Sequence, residues 1–158
     1  MFDMLKEYSR LFLFFMLLNA SMLTTTVVLH ELGHLFVGYV NGCTGRVVLI
    51  DLKTDSTFSE IDCQKEVNSD LISLGAYLFV IPFSVLFLFL DMPEKNYFFI
   101  ISGLGLMTSA LDLMNIFNSN ISFYGSILVG SLFMIYGEVK LVNERIFKLE
   151  EMEIGNLS

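Results

Sequence analysis

Four blocks of mostly apolar residues alternate with short polar segments along this chain. Leu11–Val40 is one long run, broken only by Asn19, by Thr24–Thr26 and by a charged cluster at 30–34. Leu71–Leu90 carries no charge, and Tyr97–Phe117 carries one, Asp112. The last block begins at Ile121 and continues through Glu138 to Val142. A membrane-spanning helix needs about 20 mostly apolar residues, so the pattern predicts spans at 11–40, 71–90, 97–117 and 121–142. The first block also resembles a secretory signal, with Lys6 and Arg10 ahead of it. It is too long for such a signal's apolar region and has no small-residue cleavage site before the cluster, so it is read as retained.

The 41–70 segment has a different rhythm. Arg46–Leu52 is β-branched and apolar, Lys53–Ser56 has turn chemistry, and Thr57–Asp62 alternates polar with apolar. That predicts a β-hairpin, with a plain connector as the alternative. Asn41-Gly42 and Gly45 mark the exit from the first helix. The other connections, 91–96 and 118–120, are short, and Pro82 predicts a kink in the second span. The fold class is therefore an α-helical polytopic membrane protein, about four transmembrane helices with a hairpin-like segment between the first two. Residues 1–158 form a single membrane-embedded domain ending in an acidic tail at 143–158.

Composition agrees. Of 158 residues, 54% are hydrophobic and only 16% charged, with mean hydropathy +0.67, too apolar for an ordinary soluble domain of this length. The net charge of −8 adds little: Glu31 and Asp112 account for two charges, and most of the remainder lies in 41–70 and in the tail around Glu150, Glu151 and Glu153. Such a tail reads as solvated, and no basic patch suggests nucleic acid. Cys43 and Cys63 flank the polar loop. A disulfide there requires an oxidising compartment; two ordinary thiols is the simpler reading, and their spacing matches no common zinc site.

The cluster at 30–34 is His30-Glu31-Leu32-Gly33-His34, and it uses the chain's only two histidines. On a helix this spacing puts two imidazoles one turn apart on one face, where both can bind one Zn²⁺. The glutamate between them is placed to hold the water that the metal activates. Ionisable groups inside a membrane span are costly and are usually paired, metal-bound or functional.

A catalytic zinc usually has three protein ligands and one open position. With no third histidine, the best candidate is Asp112. It lies on a stripe of small or polar residues, Ser102, Gly105, Thr108/Ser109, Asp112 and Asn115, at helical spacing. The first span offers a matching stripe in Thr26, His30, Gly33/His34, Gly38 and Asn41, and the two faces are expected to meet there. In a four-span chain the first and third spans run the same way, which puts Asp112 and the histidines at similar depth. Glu60 and Glu66 are rival carboxylates, ranked lower because they fall on the hairpin segment.

Taken together, these elements resemble the site-2 protease family of intramembrane zinc metalloproteases, closest to its small bacterial and archaeal, peptidase-M-fifty-B-like branch. The resemblance rests on the 30–34 motif late in a membrane helix and on Gly42–Asp62 with its strand-like Gly45–Val48. Ser73-Leu74-Gly75-Ala76-Tyr77 opening the next span and Asp112-Leu113-Met114-Asn115 complete it. It departs from better-known members in lacking the prolines and glycine around the aspartate, and no PDZ-like domain fits. The resemblance implies zinc-assisted hydrolysis of a peptide bond in a membrane-embedded or membrane-anchored protein. One zinc per chain would be held by His30, His34 and Asp112, with Glu31 as general base. It also implies a substrate-positioning asparagine, for which Asn115 and Asn118 are the candidates; each is equally a helix-face or helix-end residue. An exposed hairpin edge near the site could receive the unwound substrate as an added strand.

The alternatives are a catalytically silent membrane protein whose zinc only clamps the first and third helices, and a transport or assembly scaffold. Glu31 favours the enzyme, since a clamp needs ligands but no base. The partners implied are the lipid bilayer and a membrane-borne substrate, and the location is an integral, multi-pass protein of the cell membrane. Lys and Arg number six in the N-terminus, the 91–96 loop and the C-terminal end from Lys140 onward, against three in 41–70. That bias points both termini to the cytoplasm and the site to the opposite face, whereas relatives open towards the cytoplasm.

Overall fold

The computed structural model describes residues 2–51, 56–91 and 94–155. The element order is α1 (Phe2–Val40), β1 (Thr44–Asp51), β2 (Ser56–Asp62), α2 (Ser69–Gly75), α3 (Tyr77–Leu86), α4 (Tyr97–Thr108), α5 (Ala110–Phe117) and α6 (Asn120–Gly155), with 3₁₀ turns at Phe87–Phe89 and Glu94–Asn96. Three stretches, Phe12–Val40, Ser69–Phe89 and Asn120–Glu144, are helical, long and apolar enough to cross a membrane. The expected third span is two helices. α4 and α5 meet at Ser109 with a bend of 52°.

The reason for that break is local. The Thr108 hydroxyl donates to the carbonyls of Leu104 (3.0 Å) and Gly105 (3.1 Å), and such back-bonding bends helices. The second span also departs from expectation. Its helix is interrupted at Ala76, which the sequence did not signal, and Pro82 lies inside α3. The interruption falls where the Ala76 N–H bonds the Ser73 carbonyl rather than the Ile72 carbonyl one residue earlier, a tighter 3₁₀-type turn. The fourth helix does not stop at 142; α6 continues through the acidic segment to Gly155.

The core forms around α4. Tyr97, Ile100, Ile101, Leu104 and Leu141 are buried together, with Phe15, Leu18, Met22, Phe83, Phe87 and Met134 packed against them. Gly103 and Gly130 let α4 and α6 approach so closely that a Cβ on Gly130 would lie 2.6 Å from the Gly103 carbonyl oxygen. The buried Asn96 amide donates to Glu144 at 3.0 Å and ties the start of α4 to α6. The outward faces stay apolar: Phe12, Leu13, Leu17, Ile81, Leu128 and Leu132 are all exposed.

The hairpin expected between the first two spans is present. β1 and β2 pair antiparallel, with Thr44 opposite Asp62 and Val47 opposite Ser59, and an irregularity between Val48 and Asp51. Most of the turn expected at 53–56 lies outside the described residues. Gly42, at φ +82°, turns the chain out of α1. Cys43 and Cys63 are joined by a disulfide, which corrects the reading of two free thiols: antiparallel pairing brings the residues just before β1 and just after β2 together. The hairpin then folds back along α1. Leu35 approaches Gly45, and Ile61 packs on Gly38.

Candidate metal centre

His30 and His34 lie on α1 one turn apart, and α5 brings Asp112 to them. The two imidazole Nε2 atoms are 3.1 Å apart. Asp112 Oδ2 lies 3.2 Å from His30 Nε2 and 3.4 Å from His34 Nε2. These three form the one group of potential metal ligands among the described residues. The site is nearly closed to solvent: His30 is 5% exposed and the Asp112 side chain 17%.

Each outer ring nitrogen meets a polar neighbour. His34 Nδ1 donates to the Ile72 carbonyl at 2.8 Å. A carbonyl can only accept, so the proton of a neutral His34 sits on Nδ1 and Nε2 turns its lone pair inward. That carbonyl is available because the turn at Ala76 released it from the helix ladder. His30 Nδ1 lies 3.0 Å from Ser109 Oγ, and Ser109 is the residue at the bend. With His30 Nδ1 donating to Ser109 as His34 Nδ1 does to Ile72, both Nε2 lone pairs and an Asp112 oxygen would meet at one point. Such a group could hold a metal ion. Ligands about 2.0 Å from a tetrahedral ion are separated by roughly 3.3 Å, and the observed triangle has that size.

Glu31 is 8% exposed and stands beside this triangle rather than in it. Its partner is Ser59 of β2, whose hydroxyl lies 2.7 Å from Glu31 Oε2 and 2.9 Å from the Glu31 carbonyl oxygen. Sequence reasoning missed Ser59. The one signal for it was the strand alternation, which puts Ser59 and Ile61 on one face of β2 and Glu60 on the other.

The rival carboxylates are placed elsewhere. Glu60 pairs across the hairpin with Arg46 at 2.7 Å, both exposed, and holds the guanidinium more firmly protonated. Glu66 is exposed on the following loop. Asn115 is exposed on α5, and Asn118 ends α5 in the left-handed conformation at φ 46°. No hydrogen bond among the described residues ties either asparagine to the triangle. The two polar stripes meet at the histidines, Ser109 and Asp112. Gly33 instead receives the backbone of Gly75 and Ala76, Gly38 receives Ile61, and Gly105 receives Val80.

The chain matches no family model, no curated protein and no solved structure.

Proposed function

We propose that this chain is an intramembrane zinc metalloendopeptidase of site-2 protease type, acting on a membrane-embedded or membrane-anchored protein. The observation that carries this reading is the pairing of a three-acceptor triangle with a buried glutamate that is held beside it and is not a ligand. A structural clamp needs the triangle but has no use for Glu31. His30, His34 and Asp112 suit zinc, which takes nitrogen and carboxylate ligands with an open fourth position. Zinc, when bound, supplies a Lewis acid and lowers the pKa of a water towards about 7.

The chain's own residues do the rest. Glu31 accepts the proton of the attacking water and returns it to the leaving amine nitrogen. Ser109 and the Ile72 carbonyl hold the imidazole rings in orientation. The exposed amide of Asn115, three residues beyond Asp112, is open to a bound peptide, whereas the geometry of Asn118 suits a helix terminator. Membrane residence is supported by the apolar exterior and by the three long apolar helices; counting the bent α4–α5 pair as one span makes four.

Metal analysis of the detergent-purified protein tests the reading. We expect about one zinc per chain in wild type, Glu31→Gln and Glu60→Ala, and loss of zinc in Asp112→Ala. Retention of zinc by Asp112→Ala would sink the three-ligand site. Metal-loaded wild type that cleaves no membrane-spanning peptide that Glu31→Gln also spares would favour the clamp.

A further inference from the structure

We propose that Ser59 is the positioning residue for Glu31, delivered to it by the disulfide-clamped hairpin; this rests on the reading of Glu31 as general base. A glutamate has three side-chain torsions, and without a partner its carboxylate samples several rotamers. The Ser59 hydroxyl touches both the Glu31 carboxylate and the carbonyl of the same residue. It therefore fixes the carboxylate relative to its own backbone, and so relative to His30 and His34 on the same helix. The bond goes to Oε2. Among the described residues Oε1 takes no hydrogen bond, which leaves it open to the attacking water.

The register of the hairpin decides which residue reaches Glu31. Ser59 and Ile61 share a strand face, and Ile61 is seated on Gly38, two helical turns beyond Glu31. Slipping β2 by one residue would turn that face outward and bring Phe58 or the Glu60 carboxylate towards Glu31. The Cys43–Cys63 bond joins the two strand ends and opposes the slip. The Arg46–Glu60 pair, directly opposite in the ladder, holds Glu60 on the outer face.

The test compares Ser59→Ala and Ser59→Thr with wild type in the full-length, zinc-loaded protein. Infrared difference spectra against Glu31→Gln at one fixed pH identify the Glu31 carboxylate stretch, independently of any substrate. That band should shift in Ser59→Ala and return in Ser59→Thr. With a synthetic single-span peptide cleaved in proteoliposomes, kcat should fall about tenfold to a hundredfold in Ser59→Ala. KM and zinc content should stay unchanged, and Ser59→Thr should restore kcat. An unshifted band in Ser59→Ala overturns the proposal, as does an unchanged kcat. Failure of wild type itself to cleave, with the band shifting as expected, rejects the protease reading and leaves the Ser59–Glu31 contact standing.

Discussion

At the scale of single residues, the centre is a problem in directing lone pairs. Two imidazoles one turn apart guarantee only proximity; each ring must also present Nε2 inward. His34 does so because the Ile72 carbonyl takes its Nδ1 proton, and at His30 the Ser109 hydroxyl, 3.0 Å from Nδ1, can accept that proton when a metal holds Nε2. Partners of this kind tune affinity. Replacing Ser109 with Ala should weaken zinc binding about tenfold to a hundredfold, measured by competition with a chromophoric chelator, while Ser126→Ala, whose hydroxyl bonds the Ser122 carbonyl within α6, should bind as wild type. Glu31→Gln keeps size and polarity but cannot take a proton. It should retain zinc and lose about 10²–10⁴-fold in turnover, read as kcat on a cleaved membrane peptide.

At the scale of elements, close backbone approach and covalent closure place the site. A Cβ on Gly33 would strike the Gly75 carbonyl, and one on Gly75 would lie 2.6 Å from the Gly33 carbonyl oxygen. This contact seats the α2–α3 turn, and with it Ile72, against α1. Gly33→Ala should therefore cost about 1–3 kcal/mol and loosen zinc, whereas Gly125→Ala, whose added Cβ meets nothing, should leave thermal unfolding unchanged or raise it. The disulfide closes a 20-residue separation, which corresponds to about 3 kcal/mol of constraint on the unfolded chain. Cys43→Ser with Cys63→Ser should lower stability by that order and speed amide exchange in β1 and β2 first. The small and polar stripes predicted that the first and third apolar blocks meet, and they do at His30, Ser109 and Asp112, but Gly33, Gly38 and Gly105 receive other neighbours. Any small residue permits approach, and only the assembled bundle decides which neighbour fills the space.

At the scale of the whole molecule, the apolar exterior, the polar centre and the hairpin define sides. A disulfide persists in an oxidising compartment, so the pairing of Cys43 with Cys63 is tested by labelling from one side of the membrane. In intact cells Cys43 and Cys63 should resist a membrane-impermeant maleimide until an impermeant reductant is added from outside; labelling without reductant would contradict the pairing. The sequence by itself determined the apolar blocks, the two-residue rhythm of the hairpin, and the one-turn spacing of His30 and His34. Each of these is local, set by residues within a few positions of one another and by the period of a helix or strand. Tertiary structure decided the rest. It chose Asp112 over Glu60 and Glu66, broke the third apolar block at Ser109, joined Cys43 to Cys63, and brought Ser59, Ile72 and Ser109 to the motif across separations of 28, 38 and 79 residues. Contacts at such separations depend on how the helices and hairpin pack together, and no periodicity along the chain encodes that.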